Sequence, residues 1–206
     1  VREFTVNAYN DHHGMQAVER FGKARTGTDD FDQDSVPDEL TVGDITAATV
    51  FQASLNTPGQ VIPRDGRKAR AIREGSATFE KIGCADCHRP SLILNDPVYS
   101  EPNPFNPPGN LRPETVNRPV TFDLTRQGPL PRPERLTDGR AIIRAHTDLK
   151  RHDLCDAEIN TFCNERLVQN GASTRVFLTR KLWDVGNSAP YGHRGDLTTL
   201  TQAILA

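Results

Sequence analysis

The chain has 206 residues and a formal net charge of -2, from 25 basic and 27 acidic side chains. Charge this balanced offers no basic face for nucleic acid or an anionic membrane surface, and no apolar run approaches the ~20 residues a membrane helix needs. Apolar residues make up only 35%, with 15 Gly and 15 Pro, which predicts a loop-rich protein of one or two domains whose core is completed by something other than side chains.

The sequence opens at "VREFTVNAYN" with neither an initiator methionine nor a signal peptide, and closes on "TTLTQAILA". There Leu200, Ala203 and Ile204 have helical spacing with no cap beyond them, so the sequence reads as a processed or partial chain. Residues 1–66 are expected to be an N-terminal segment belonging to a preceding domain, and residues 67–206 a second domain. Within the first, "DDFDQDSVPDEL" sets Asp30, Asp32, Asp34 and Asp38 at positions 1, 3, 5 and 9 of an EF-hand-like calcium loop. The backbone carbonyl of Val36 falls at position 7. Ser35 stands where glycine normally allows the sharp turn, and Thr41 replaces the bidentate glutamate. The plain alternative is a solvated acidic turn.

After an apolar segment, "ITAATVFQASL", and a Pro/Gly break, residues 67–94 read as a helix delivering "CADCH". Ala69, Ile72, Phe79 and Ile82 fall on one face of it. From Asn95 to Arg135 proline is too dense for regular helix, and only the alternation of "PVTFDLT" predicts a strand. Short helices are expected over 138–146 and 156–168, followed by "RVFLTRKLW" and the turn-rich "DVGNSAPYGHRGD". The expected fold is mainly α with long irregular Pro-rich loops, built around a cytochrome c-like domain.

Three chemistries compete for Cys84, Cys87 and His88. Structural zinc needs a second closely spaced Cys/His pair, and Cys155 and Cys163 are eight apart. A redox C-x-x-C follows a strand, whereas here a helical pattern precedes. Covalent haem c remains: two thiols at this spacing add to the two vinyl groups, and the adjacent imidazole becomes an axial ligand. A porphyrin would supply the missing apolar surface. Haem c also implies a periplasmic or secreted protein, because such proteins mature outside the reducing cytoplasm.

That compartment favours pairing of Cys155 with Cys163. On one straight helix they would stand ~12 Å apart along the axis, too far for a disulfide, so a bridge requires a bend. Buried free thiols are the alternative. Candidates for a second axial ligand are Met15, His12, His13, His146, His152 and His193. His193 is singled out by its rigid turn, "APYGHRGD", and Trp183 and Tyr191 nearby could pack on a porphyrin.

Three of these stretches resemble the di-haem oxidoreductases of the bacterial cytochrome c peroxidase superfamily. "GSATFEKIGCADCHRP" is similar to the helix and attachment motif of the family's C-terminal cytochrome domain. "HTDLKRHDLCD" resembles the segment that follows that haem, and "FLTRKLWDVGNSAPYGHRGDLTTLTQAI" the family's closing pattern, with its Pro-Tyr-x-His-x-Gly motif. The resemblance spans roughly the C-terminal two-thirds. It implies that Cys84 and Cys87 hold the haem, that His88 is proximal, and that His193 lies near the haem edge. It also implies peroxidase-like electron transfer with a second haem domain or a redox partner protein. Only one C-x-x-C-H is present, so these residues alone do not carry a di-haem reaction. A one-haem electron carrier or structural module is the alternative.

Overall fold

The computed structural model describes residues 1–156, 158, 160–168 and 171–206, without the side chain of Asn160. Helices α1 Arg2–His13, α2 Val18–Phe21, α3 Lys23–Thr26, α4 Val42–Ala53 and α5 Gly66–Lys81 come first. Strands follow: β1 Leu92–Leu94, β2 Val98–Glu101, β3 Val120–Asp123, β4 Glu134–Arg135, β5 Ala141–Ile143, β6 Arg151–Asp153 and β7 Val176–Leu178, and the chain ends in α6 Leu200–Leu205. The sheets are small: β1–β5–β4, β2–β3 and β6–β7.

This architecture corrects the expected fold class. Helix accounts for only 33% and strand for 13%, so the protein is not mainly α and, among the described residues, 67–206 lack the predominantly helical make-up expected of a cytochrome c-like domain. Among the described residues beyond α5, the only α-helix is six-residue α6, and turns, single 3₁₀ turns and short strands make up the rest. The helix expected over 138–146 is instead the strand β5. Asp138 accepts the Arg140 N–H at 3.1 Å, and Gly139 takes a left-handed φ of 92°. This turn, closed by Leu136 N–H to Arg140 O at 2.8 Å, launches the β-branched pair Ile142–Ile143 as extended chain. Of the helix expected over 156–168, Ala157 and Ile159 lie outside the described residues, and Asn160–Cys163 forms a single 3₁₀ turn. The strand read from "PVTFDLT" does form, as β3, antiparallel to β2 with Tyr99 opposite Phe122.

Contacts divide the chain into two units, Val1–Thr57 with Leu94–Ala141 and Pro58–Ile93 with Ile142–Ala206. In the first, α4 starts in a capping box: Thr41 Oγ1 accepts the Asp44 N–H and Asp44 accepts the Thr41 N–H. Ile45 then packs with Val6, Ala17 and Leu40 into the apolar cluster of this unit, against which Tyr9 and Met15 lie. Beside the cluster sits a charge with no access to water. Arg2 is 0% exposed, and its guanidinium meets Glu101, itself fully buried, at 2.8 Å. It also grips Glu19 through two of its nitrogens. Tyr99 O–H donates to the other Glu101 oxygen at 3.0 Å. Burial, followed by the Glu101 charge, pushes the Tyr99 phenol well above its ordinary value.

In the second unit, Asp65 caps α5 by accepting the Arg67 and Lys68 N–H groups. Ala69 is buried, and Ile72 and Phe79 are half-buried, as their shared face predicts. Ile82 departs from it and is 66% exposed, because α5 has ended and Gly83, at φ 89°, redirects the chain. No helix among the described residues is long and apolar enough to cross a membrane.

A buried guanidinium that loses one of two carboxylates keeps its desolvation cost and forfeits part of its compensation. Glu101→Ala is expected to destabilise the protein by about 3 kcal/mol, seen as a lower urea midpoint at unchanged m-value. A midpoint equal to the wild type would contradict the ion pair's role.

Candidate functional site

The left-handed Gly83 converts the end of α5 into the 3₁₀ turn Cys84–Asp86, which presents Cys84 and Cys87 as free, half-buried thiols. His88 follows, with its N–H donating to Cys84 O at 2.9 Å. Its ring is held by the main chain of a distant segment: Nδ1 lies 3.0 Å from the carbonyl oxygen of His146. A carbonyl only accepts, so Nδ1 carries the proton and the Nε2 lone pair is left for a metal. Ligating histidines are oriented in this way. Phe79, on the preceding helix, flanks both rings, 6.4 Å from His88 and 6.1 Å edge-on to His146.

The segment supplying that carbonyl is itself pinned. Thr147 N–H donates to Arg89 O at 3.0 Å, and buried Thr147 donates its hydroxyl to Thr179 O at 2.6 Å. Trp183 Nε1 donates to Arg144 O at 2.7 Å, with Lys181 Nζ 4.9 Å above its ring. His146 and Leu149 both take left-handed φ values, 50° and 55°, which cost a non-glycine residue on the order of 1–3 kcal/mol each. The three stretches "CADCH", "HTDLKRHD" and "FLTRKLW" therefore meet here, joined mainly by main-chain hydrogen bonds.

Asp148 sits in the middle of this loop and was not foreseen as a site residue. It accepts the Lys150 N–H at 2.9 Å and pairs with His152 Nε2 at 2.8 Å while only 4% exposed. Burial opposes its ionisation, but the Lys150 N–H, the His152 imidazole and Thr179 outweigh that cost and hold the carboxyl well below the usual range. Burial first, then the charges of His88 and Arg144, lowers His146 below the ordinary imidazole value.

The other axial candidates are placed differently. His193 pairs with Glu165 at 2.7 Å and packs 5.1 Å from the Phe177 ring. His13 makes a tilted ring contact with Tyr9 and Met15 lies against the apolar cluster of the first unit, while Tyr191, expected to pack on a porphyrin, donates its O–H to Val185 O at 2.6 Å. Cys155 and Cys163 form a disulfide with their Cα atoms 4.7 Å apart. The bend that a bridge required is present.

In the acidic loop, Asp30, Asp32 and Asp34 bring carboxylate oxygens within 4.8 Å of one another. Asp38 is not among them; its N–H donates to Asp29 O, and with Val36 it lines a small neighbouring pocket. Ser35 adopts φ 77°, the conformation glycine supplies at that loop position. Thr41 is used as the cap of α4. One Asp30 oxygen accepts the Ser35 N–H at 3.1 Å, and the other, Oδ1, is buried without a partner.

Searches of family models, curated proteins and solved structures returned no match to this chain.

Asp148 binds a proton less readily folded than unfolded. Its contribution to stability is complete above the ordinary carboxylate pKa of about 3.9 and is lost as pH falls through the depressed folded value. Asp148→Asn is expected to lower the Tm at pH 7, with the gap to wild type narrowing steadily below about pH 4. A calorimetric gap independent of pH would show that the carboxylate charge does not matter.

Proposed function

We propose that the chain carries one haem c, attached through Cys84 and Cys87 with His88 Nε2 as an axial ligand. In this proposal it serves as the electron-transfer part of a peroxidase-like di-haem oxidoreductase. The observation that carries the reading is the His88 ring, turned by the His146 carbonyl so that its basic nitrogen is free, beside two unbridged thiols at the attachment spacing. That donor set fits a haem: two thiols for the vinyl groups and one oriented imidazole for the iron.

Bound there, a haem would supply a one-electron couple and, in the peroxidase-like reading, the iron chemistry for peroxide. The protein's own part is to fix the proximal ring. The His146 carbonyl accepts the Nδ1 proton and raises the basicity of the ligand, and Phe79 restricts ring rotation from one side. His193 is assigned to the haem periphery on the strength of its Pro-Tyr-x-His-x-Gly resemblance. Electrons enter or leave through a second haem domain or a redox partner protein. The disulfide between Cys155 and Cys163 supports maturation in the periplasm or outside the cell, where such bridges persist.

The presence of a single C-x-x-C-H in the sequence favours a second reading, a one-haem carrier or structural module without catalysis of its own. The two readings separate on one preparation. Expressed with a c-type maturation system, the chain is expected to gain the mass of one haem, keep its colour through acid-acetone extraction, and give one haem per chain as the pyridine haemochrome. Cys84→Ser and Cys87→Ser should each leave a single thioether, shifting the haemochrome band to longer wavelength, and the double variant should lose covalent haem. Turnover of peroxide with an electron donor marks the enzyme, and a six-coordinate, unreactive spectrum marks the carrier. A colourless chain of apoprotein mass rejects both.

The acidic loop is proposed to hold calcium through Asp30, Asp32, Asp34 and the Val36 carbonyl, with Asp38 acting from the ninth position. The buried, unpartnered Asp30 Oδ1 and the glycine-like Ser35 backbone support this. Calcium is expected to raise the Tm with half-saturation at or below about 1 mM, and Asp32→Asn should abolish the rise. Calorimetry showing no binding in that range would remove the site.

A further inference from the structure

Away from the imidazole of His88, the same loop brings together three donors of different chemistry. Cys87 Sγ, an Asp148 carboxylate oxygen and a His152 ring nitrogen lie within 4.8 Å of one another, all in half-buried residues. Each reaches this point by a separate route. Cys87 closes the 3₁₀ turn after Gly83. Asp148 hangs between the left-handed His146 and Leu149. His152 projects from β6, where it is paired in register with Phe177.

From this convergence we propose that the chain with free thiols binds one borderline-soft divalent cation of the zinc class at Cys87, Asp148 and His152. One thiolate, one carboxylate and one imidazole are the ligand types such an ion takes, and three protein ligands leave a fourth, open position for water. A hard ion such as magnesium would not choose a sulfur donor.

The arrangement is built to hold charge there. The Asp148 side chain is only 4% exposed and is oriented by the Lys150 N–H at 2.9 Å and the His152 ring nitrogen at 2.8 Å, so a carboxylate oxygen and an imidazole nitrogen are already held side by side next to the Cys87 sulfur. The site needs no haem. It requires the Cys87 thiolate, which a vinyl group would also consume, so cation and covalent haem exclude one another at this sulfur. Metal binding at Cys87 would keep that thiol from oxidising and would slow thioether formation.

The test uses the full haem-free chain, kept anaerobic with its disulfide intact, and cobalt(II) as the spectroscopic stand-in for zinc. Binding of one ion is expected, with a sulfur-to-cobalt charge-transfer band and the intense visible bands of four-coordinate cobalt; zinc should displace it. Cys87→Ser should abolish the charge-transfer band. His152→Ala and the conservative Asp148→Asn should each weaken binding at least about tenfold, with unchanged circular dichroism showing that the fold is kept. Cys84→Ser should bind as the wild type does. Absence of the band in the wild type overturns the proposal. So does a band that vanishes in Cys84→Ser yet survives His152→Ala, since the two thiols of the attachment motif would then hold the ion. Neither result bears on whether the matured chain carries haem, which the mass and haemochrome decide separately.

Discussion

The hydrogen bond from His88 Nδ1 to the His146 carbonyl, at 3.0 Å, is the constraint on which the second unit is organised. Without it, "CADCH" is an exposed turn at the end of a helix, with an imidazole free to rotate. With it, ring orientation and tautomer are fixed by a main-chain atom that no side-chain substitution removes. The arrangement also commits the other partner, because the carbonyl can face His88 only if His146 takes its left-handed φ of 50°. That strain is borne by the bonds on either side, Thr147 to Arg89 and to Thr179, and Trp183 to Arg144. A strained loop held by main-chain bonds is a rigid loop, which an axial ligand needs if its iron is to change oxidation state with little reorganisation.

The first unit depends on a different device. Its apolar cluster is small, with Val6, Ala17, Leu40 and Ile45 as the buried members, and a core of that size gives little stabilisation. The Arg2 guanidinium, bound by Glu19 and Glu101, ties the first turn of α1 to residues 17 and 99 positions away in sequence. A buried ion network is a poor source of net stability but a strong source of specificity, because any alternative register leaves a charge unpaired in a dry place. Tyr99 and Asn106 complete the Glu101 carboxylate, so the proline-rich segment is held by polar bonds where it has few apolar residues to offer.

How much of this was legible in the sequence follows from the range over which each feature is determined. The C-x-x-C-H stretch is local, and Cys84, Cys87 and His88 follow the end of α5 where the helical pattern of the sequence places them. β3 was legible for the same reason, through alternation. The small sheets beyond α5 were not, because short apolar runs such as Ala141–Ile143 are equally compatible with helix and strand, and the Asp138–Gly139 turn decided between them. Ser35 shows the converse. Its side chain argues against the sharp turn of a calcium loop, yet the surrounding bonds impose φ 77°. Asp148 was hidden for a third reason: a carboxylate in a charged stretch looks solvated, and only the fold of residues 146–152 around the attachment turn buries it.

Cys87 is where these lines converge. Its sulfur stands at the end of a motif whose spacing suits two vinyl groups, and beside a carboxylate and an imidazole whose types suit a cation. A thiolate satisfies either demand, but not both at once. His88, by contrast, faces the His146 carbonyl and leaves its Nε2 lone pair unengaged by that bond whatever becomes of Cys87. The two neighbouring residues therefore differ in kind: the His88 ring is fixed by the main chain, whereas the Cys87 thiol is unbridged and, on the readings proposed above, its fate depends on which electrophile reaches it first. The order of events at Cys87, cation or vinyl, would then be set by the concentration of each in the compartment where the chain matures. The fold holds Asp148 and His152 beside the Cys87 sulfur, so on the cation proposal the donors are assembled without any porphyrin.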